Sequence, residues 1–382
     1  MLRRTLAGIP IAALLSTAAI VPIASPADAV VTATLVAGRS EDRASYSPFT
    51  SAEADHVGGN WSITWTTRNS APVTVWSSTD GGSSWHKVAT QVTSGRVEVA
   101  YDGHAPHELF KLNPRQGAPL TIAGRRIEFQ DADMANFRDV GGYRTTNGQW
   151  VRMGMLYRSN ALTLAPADAQ VAADELHVGH VYDLRTPPEI TKTPDVVPAG
   201  STYQNINVIA NLRSGGPYAN PATPEQYFAN SRYAYNFFVT NPTAQAAIGE
   251  LLTDLADSKG VSVFHCSAGQ DRTGVASALL LSLLGVPEKT VEDDYALTFH
   301  YLWGSQFLQD YDASVGMSQQ QRDLQKYAYT HPDEYQASTI QLALDVIKQD
   351  YGSVDNYASQ ALGLDRDTVA KLKAQYLSPA SD

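Results

Sequence analysis

The chain of 382 residues contains one cysteine, Cys266, and therefore cannot form an intramolecular disulfide. A disulfide-stabilised scaffold is excluded, so the fold must depend on an apolar core. With 43% hydrophobic and 18% charged residues, the chain is long enough for two globular domains. A lone cysteine is either a small buried hydrophobe or a reactive thiol, and its neighbours in the sequence decide between the two.

Basic residues are scarce, because 28 Lys and Arg stand against 39 Asp and Glu, giving a net charge of −11. Sites for nucleic acid or anionic membrane surfaces need clustered Lys and Arg, since phosphate contacts dominate the affinity. The charge balance excludes broad binding to either partner. Any positive potential must be local to one site.

Long apolar runs are absent after residue 29, so the sequence predicts no membrane insertion there. The first 29 residues have the three parts of a signal peptide. These are a basic start at Arg3 and Arg4, an apolar middle over residues 9–23, and a small-x-small site at Ala27 to Ala29. Prolines interrupt the apolar part, which disfavours a membrane anchor. We predict cleavage after Ala29 and secretion of the mature chain.

Residues 30–129 have the pattern of a small all-β domain. Segments of period two are separated by Gly, Asn, Asp and Pro: Trp61–Trp65, Val73–Ser77, Val97–Tyr101 and Glu108–Leu112. This pattern predicts an antiparallel sandwich of the immunoglobulin or fibronectin type. Within it, Ser78–Trp85 resembles the Asp-box hairpin of sialidases. A single copy is better explained as a turn in which Asp80 binds the loop backbone and Trp85 packs inward than as a catalytic site.

The residues around Cys266 form a strand, a loop and the start of a helix. A short apolar run ending at Phe264 leads to the cysteine, and Val275–Leu284 is apolar and of helical length. Between them lies the Cys266 loop, residues 266–272. If this loop curls around one point, its backbone N–H groups converge at a helix N-terminus and can hold a phosphate group. The residues expected to bind phosphate are Ser267, Ala268, Gly269, Gln270, Asp271 and Arg272.

The two ends of the Cys266 loop carry the chemistry. Arg272 offers a planar fork of donors that grips two phosphate oxygens. Together with the helix dipole it favours the thiolate form of Cys266, which can attack phosphorus in line and form a phosphocysteine. We therefore expect phosphoester hydrolysis with Cys266 and Arg272 as catalytic residues.

Four further residues are expected to support this loop. Gly269 supplies the backbone freedom of a tight curve, and Gly274 allows close packing of the helix. His265 is better placed to order the loop than to transfer protons. Thr273 offers a hydroxyl that can hydrogen-bond the thiolate.

The segment HCSAGQDRTG, residues 265–274, resembles the signature loop of cysteine-dependent tyrosine and dual-specificity phosphatases. Three earlier stretches, NFRDVGGY (136–143), MLYRSNAL (155–162) and YDLRTPPE (182–189), are similar in the same order to a bacterial branch of secreted tyrosine phosphatases that also accept phosphoinositides. The resemblance implies an α/β catalytic domain over residues 130–382, with a central, mostly parallel sheet flanked by helices. It also implies a lid formed by an insertion at residues 211–241.

The resemblance implies a hydrolase of phosphotyrosine and other phosphoester monoesters, on proteins or small molecules, that needs no metal or other cofactor. Gln270 stands where this branch often has a Lys that meets the extra phosphates of an inositol ring, which weakens the case for lipid substrates. The alternatives are an inositol-phosphate or phosphoinositide phosphatase and a non-catalytic module that binds phosphorylated ligands. A rhodanese also has a cysteine in an anion cradle, but the His-Cys and Arg-Thr-Gly ends favour a phosphatase. The sequence leaves the oligomeric state open.

Phosphoester hydrolysis needs a proton donor for the leaving oxygen, and two carboxylates are candidates. Asp271 lies in the loop beside Arg272. Asp183 ends a predicted strand, residues 180–184, at the sheet edge where ligands bind, or else caps the next turn. We expect Asp271 to be the proton donor, because the mobile Trp-Pro-Asp loop of eukaryotic tyrosine phosphatases is not evident in this sequence.

The remaining pattern predicts scaffold. Arg138 and Asp139 either form a structural ion pair or face the ligand, and Arg158 is expected to anchor a loop. Helices are predicted over residues 165–175, 288–300 and 365–376, and from Pro332 to about residue 352.

Overall fold

The structure, a computed structural model, describes residues 48–57, 60–68, 70–79, 84–100, 108–210, 216–314, 316–330 and 337–378. Outside these residues lie the predicted signal peptide, Tyr101, residues 80–83 of the Asp-box-like hairpin, the first five residues of the predicted lid and the predicted helix start at Pro332. Within the described ranges, no helix has the length and apolar character needed to cross a bilayer.

In the described part of residues 49–123, seven strands form two antiparallel sheets. One sheet has the order β1-β2-β5, made of β1 (Phe49–Val57), β2 (Asn60–Thr67) and β5 (Arg96–Ala100). The other has the order β4-β3-β6-β7, made of β4 (His86–Val92), β3 (Val73–Ser78), β6 (Leu109–Pro114) and β7 (Leu120–Ala123). The four segments predicted from period-two patterns lie within β2, β3, β5 and β6, apart from their terminal residues Tyr101 and Glu108.

The two sheets share one apolar core, because alternate residues of their strands face each other. Trp61 of β2 and Phe110 of β6 meet edge to face at the centre, with ring centroids 5.7 Å apart. Trp150, from the chain that follows the strands, joins the same core. An immunoglobulin or fibronectin type for this region stays a prediction.

The second part of the chain is built on a five-stranded sheet of order β11-β10-β12-β9-β8. Its strands are β8 (Arg138–Asp139), β9 (Leu156–Ser159), β10 (Val178–Asp183), β11 (Thr202–Asn205) and β12 (Val261–His265). Four strands are parallel, and only β8 runs antiparallel to its neighbour β9. The central strand β12 carries Val263 and Phe264 fully buried, as expected of a parallel strand covered on both faces. The mixed α/β architecture expected from the sequence is confirmed.

Helices surround this sheet. In chain order, those within the described residues are α1 (Pro166–Asp174), α2 (Pro187–Lys192), α3 (Pro224–Thr240), α4 (Pro242–Asp257), α5 (Asp271–Leu283), α6 (Glu288–Leu302), α7 (Gln306–Ser314), α8 (Gln319–Thr330), α9 (Ala337–Tyr351), α10 (Val354–Gln360) and α11 (Arg366–Tyr376). The predicted helices correspond to α1, α6, α9 and α11. Ile340, Leu344 and Ile347, which recur at helical spacing in α9, are all buried.

Helix α5 is the element that fixes the Cys266 loop. It is buried along nearly its whole length, and apolar residues from α3, α4 and α6 surround it. A loop held between the central strand and a fully buried helix has little freedom, because interior packing is dense.

Candidate active site

The Cys266 loop runs from the end of β12 into the first turn of α5, and four carbonyl groups, of His265 just before the loop and of three loop residues, accept hydrogen bonds from the surrounding protein. Their partners are Leu184 N for His265 O (2.8 Å), Ala161 N for Ser267 O (3.0 Å), Asn136 Nδ2 for Ala268 O (2.9 Å) and Arg158 Nη2 for Gly269 O (3.0 Å). Because a trans peptide unit is planar, each N–H points opposite to the carbonyl of the preceding residue. The loop amides therefore face away from these partners.

The backbone N–H groups of Ser267, Ala268 and Gly269 donate to no group within the described part of the chain. Nearly all backbone N–H groups that lie away from water in folded proteins are paired. Three consecutive N–H groups without a partner in the described part of the chain therefore indicate a site for a hydrogen-bond acceptor. Converging amides at a helix N-terminus bind anions. The geometry suits a phosphate group.

Two glycines match their predicted roles, Gly269 in the curve of the loop and Gly274 in the close packing of α5. Gly269 has φ of +69°, and a Cβ there would lie 2.4 Å from the carbonyl oxygen of Ser159. At Gly274, in the first turns of α5, a Cβ would lie 2.8 Å from the ring of Tyr295. Both positions exclude a side chain, the first because of backbone conformation and close approach, the second because of close approach alone.

Arg272 is held by Glu189, a residue that the sequence analysis did not single out. The two Nη atoms of Arg272 donate to the two carboxylate oxygens of Glu189 at 2.9 and 2.8 Å. Ser267 Oγ donates to the same carboxylate at 2.6 Å. These bonds and the charge of Arg272 hold the pKa of Glu189 well below its usual range, although partial burial acts in the opposite direction.

Glu189 is fixed by the helix on which it lies. Helix α2 begins with a capping box, in which Thr186 Oγ1 accepts from Glu189 N and the Glu189 carboxylate accepts from Thr186 N at 2.9 Å. Pro187 and Pro188 occupy the first turn, where a missing N–H costs nothing. The same carboxylate thus caps the N-terminus of α2 and orients Arg272.

Cys266 and His265 lie at the start of the loop. Cys266 is 2% exposed, at the floor of the curve. His265 is fully buried, with Nδ1 at 3.2 Å from Cys266 O and Nε2 at 3.3 Å from an Asp195 oxygen. Its contacts agree with the expected role in ordering the loop.

The expected hydrogen bond from Thr273 to the cysteine sulfur is not formed. The Thr273 hydroxyl is buried and has no hydrogen-bond partner among the described residues. In the first turn of α5 its orientation is set by the helix backbone, and that orientation does not bring the hydroxyl into bonding geometry with Sγ.

Asp271 is half-buried at the N-terminus of α5. Tyr235 of α3 donates to its Oδ1 at 2.8 Å, and the side chain of Gln270 also hydrogen-bonds to this carboxyl. Removal from water raises the pKa of Asp271, although Tyr235, Arg272 and Gln270 each act to lower it. A carboxyl that keeps its proton to higher pH beside an anion site can act as a general acid.

Asp183 lies at the end of β10, paired in register with His265 of β12, so it is next to the loop as predicted. It is nevertheless fully buried, and its oxygens accept from Arg185 N, Nε and Nη2 at 2.9 Å each and from Tyr203 Oη at 2.8 Å. Of the two roles considered for Asp183, its contacts match the strand-terminal one that fixes the following turn.

Within the described residues, one group of side chains has metal-ligand geometry. Ligand atoms of Asp183, Asp195 and His265 lie within 4.8 Å of one another. The Nη2 atom of Arg185 bonds to both carboxylates, at 2.9 and 2.6 Å. A fixed guanidinium therefore already supplies positive charge to this group.

A buried ionic cluster lies behind the loop. Arg158 donates to Gly269 O and also pairs with Asp294 of α6 at 2.6 Å, which confirms its expected role as a loop anchor. Arg138 pairs with Asp294 at 3.7 Å and not with Asp139, so the particular ion pair considered from the sequence is wrong. Asp139 instead accepts from two backbone amides, Gly141 N and Gly154 N, at 2.6 Å each.

Residues 130–378, which include this whole arrangement, match the model of the tyrosine phosphatase family. The chain belongs to that family. It is 31% identical over 272 residues to a Cupriavidus necator protein assigned by name to the tyrosine-protein phosphatases, covering 69% of this chain and 93% of that one. A tyrosine-protein phosphatase of Nostoc commune is 27% identical over 216 residues, covering 56% and 70%. The triple specificity protein phosphatase PtpB of Mycobacterium tuberculosis is 28% identical over 185 residues, covering 42% and 65%.

Membership of the tyrosine phosphatase family makes the protein a phosphoric monoester hydrolase, as the sequence predicted. Phosphorylated molecules are accordingly its substrates. The strands of residues 49–123 precede the matched region. Of the residues that shape the phosphatase site, sequence reasoning missed Glu189 and the contact of Tyr235. The Thr-x-x-Glu spacing at 186–189 was a readable sign of a helix start, but nothing in it indicated the bond to Arg272.

Proposed function

We propose that this phosphatase hydrolyses phosphotyrosine and similar aryl phosphoesters through a covalent phosphocysteine at Cys266. The main support is the set of three loop amides, of Ser267, Ala268 and Gly269, which have no partner among the described residues. Those of Ala268 and Gly269 lie opposite carbonyls that are bound to Ala161 and Asn136. They are suited to the equatorial oxygens of a phosphoryl group, whose charge must be stabilised as phosphorus is transferred.

In the first step, the thiolate sulfur of Cys266 forms a bond to phosphorus while the bond from phosphorus to the aryl oxygen breaks. The loop amides and Arg272 stabilise the equatorial oxygens. Asp271, protonated, gives its proton to the departing oxygen, so that a neutral alcohol leaves. Asp271 is chosen over Asp183 because the oxygens of Asp183 are already bound by Arg185 and Tyr203.

In the second step, the Asp271 carboxylate takes a proton from water as the water oxygen attacks phosphorus. The sulfur–phosphorus bond breaks, and the thiolate and inorganic phosphate are released. The same carboxyl therefore acts first as acid and then as base.

The test of this mechanism is Cys266→Ser. We expect hydrolysis of 4-nitrophenyl phosphate to fall to background, while inorganic phosphate still binds in calorimetry, because the amides and Arg272 remain. Rapid denaturing quench during turnover of a ³²P-labelled aryl phosphate should leave label on the wild-type protein and none on the variant. Unchanged turnover by Cys266→Ser would remove the proposal.

The substrate class is tested by a panel of phosphotyrosine and phosphoserine peptides, a phosphoinositide and phytate, run with a chelator. We expect the phosphotyrosine peptide to have the highest kcat/KM, because Gln270 adds no cation for further phosphates. A phosphoinositide or phytate with the higher kcat/KM would favour the alternative of an inositol-phosphate enzyme.

We also propose that the chain is exported. The support is the order of a basic start, an apolar middle and the Ala27 to Ala29 site. N-terminal sequencing of protein from the culture medium of producing cells should begin at Val30. Recovery only from inside the cells, with residues 1–29 intact, would contradict export.

A further inference from the structure

A chain of three oxygen atoms leads from the protein interior to Asp271. The Tyr235 hydroxyl donates to Asp271 Oδ1 at 2.8 Å, and it also contacts the hydroxyl of Tyr295. Both tyrosines are 1% exposed, so no bulk water competes for these bonds. Tyr235 lies on α3, in the segment predicted as a lid, and Tyr295 lies on α6.

The two phenol groups are held rigidly. Their rings meet edge to face with centroids 5.9 Å apart, and Tyr235 makes a second such contact with Phe238 at 5.6 Å. The ring of Tyr295 lies so close to Gly274 that no Cβ fits between them. Two aromatic side chains packed in this way have few alternative rotamers, so the position of the Tyr235 oxygen is fixed.

The number of protons in this chain restricts where the acid proton of Asp271 can lie. Each phenol has one hydrogen, and Tyr235 directs its own at Oδ1. While that bond exists, Oδ1 is an acceptor, and a protonated Asp271 must carry its hydrogen on Oδ2. Tyr295 can then donate to Tyr235, so that every hydrogen in the chain has an acceptor.

We propose that Tyr235 is a positioning residue for the acid step, which fixes the Asp271 carboxyl and keeps its transferable proton on Oδ2. The inference rests on the proposed role of Asp271 as general acid. The other groups that face this carboxyl are Arg272 and Gln270 from the loop and Tyr295 from α6. Proton transfer therefore depends on the correct position of α3, a helix of the predicted lid, in addition to any role of α3 in covering the site.

The experiment compares Tyr235→Phe with wild type on two aryl phosphates. Phenyl phosphate has a basic leaving group that needs the acid, whereas 4-nitrophenyl phosphate needs it much less. We expect kcat for phenyl phosphate to fall about tenfold, part of the roughly 10²–10⁴ that a positioned acid supplies. The fall for 4-nitrophenyl phosphate should be at most about twofold, and KM should stay unchanged for both. Equal loss on the two substrates would show a merely structural role and overturn the proposal.

Two further variants separate this inference from the proposed mechanism. In an Asp271→Asn background, adding Tyr235→Phe should have no further effect on either substrate, because Tyr235 acts through Asp271. If Asp271→Asn lowers phenyl phosphate turnover but Tyr235→Phe does not, only the positioning role fails. If Asp271→Asn has no effect, the assignment of the acid itself fails.

A matched control lies on the same helix. Tyr233 is 45% exposed, and Tyr233→Phe removes a hydroxyl from α3 without touching the oxygen chain, so both substrates should be unaffected. If Tyr235→Phe does not fold, Tyr295→Phe provides the second test. Tyr295→Phe should also lower kcat more for phenyl phosphate than for 4-nitrophenyl phosphate, by a smaller factor than Tyr235→Phe. An equal fall in kcat on the two substrates would count against the proposal.

Discussion

Replacement of Glu189 by Gln tests how Arg272, the proposed phosphate-binding arginine, is held. Glu189 has two oxygens, and each accepts one Nη atom of Arg272. An amide of the same shape has only one oxygen, and its NH₂ group must face donors, either Arg272 with Ser267 or Arg272 with Thr186. At least one Nη atom therefore loses its acceptor and meets a donor instead.

The size of the effect follows from the contacts. A hydrogen bond to a charged group contributes roughly 1.5–3 kcal/mol. The Glu189 side chain is 31% exposed and that of Arg272 10%, so solvent screens the pair and the lower part of that range applies. We expect the variant to lose about 2 kcal/mol of unfolding free energy at pH 7. An equal loss in transition-state stabilisation lowers kcat/KM about 30-fold.

The pH dependence has a definite sign. The folded-state pKa of Glu189 is depressed, so its ionised form stabilises the fold above the unfolded pKa of about 4.3. That stabilisation is lost as pH falls through the lower, folded-state pKa. The difference in stability between wild type and Glu189→Gln should thus be constant from pH 8 to about 5 and shrink below about pH 4.

The assay is urea unfolding at several pH values, together with kcat and KM for an aryl phosphate. Thr186→Val is the matched control, because it removes the capping hydroxyl of α2 but leaves both bonds to Arg272. It should cost about 1 kcal/mol with little change in kcat/KM. A Glu189→Gln variant with wild-type unfolding and wild-type kcat/KM would refute the reasoning.

Three other substitutions test the surroundings of the loop. Gly269→Ala forces a residue with a side chain into positive φ and against the Ser159 carbonyl. The rate of aryl phosphate hydrolysis should fall by a factor of at least about 10², which is the effect of displacing catalytic groups by 1 Å, while circular dichroism stays unchanged. Full activity would mean that the loop can adopt another shape. Asp294→Asn leaves two buried arginines without their counter-charge and should cost about 3–5 kcal/mol in denaturant unfolding, more than any exposed Asp→Asn control. Asp271→Asn should raise the free energy of unfolding at pH 7, because the raised folded-state pKa makes the ionised carboxyl unfavourable. The stability of wild type should approach that of the variant as pH falls through this raised pKa, with no further approach below about pH 4, and a variant less stable than wild type at pH 7 would contradict this.

Local sequence spacing was sufficient to predict the strand, the loop and the helix around Cys266. The reason is that this part of the site is contiguous: an apolar run, a positive-φ glycine and a helix start each have local signals. The same holds for helices α1, α6, α9 and α11, whose apolar residues recur at helical spacing. The phosphatase family and the α/β class were predicted from the resemblance of the contiguous motifs to known phosphatases and not from spacing alone.

The groups that hold the loop could not be predicted in this way. Glu189 meets Arg272 across 83 residues of chain, and Tyr235 meets Asp271 across 36. Such contacts depend on where α2 and α3 pack, which is set by tertiary structure and not by local pattern. The error at Thr273 has the same origin, because a side-chain direction on α5 follows from the helix axis and not from sequence proximity to the cysteine.

The buried ions behind the loop are better explained by their role in positioning the loop than by a contribution to folding stability. Arg138 and Arg158 both pair with Asp294, and burial together with the charge of Arg158 lowers the pKa of Arg138 to about 10. Removing charges from water largely cancels the attraction within buried ion pairs, so their net contribution to folding is small. What Arg158 supplies is a donor to Gly269 O, fixed on its other side by Asp294. The carbonyls of the Cys266 loop thus accept their hydrogen bonds from the scaffold behind the loop, and the opposite side of the same peptides faces the proposed phosphate site.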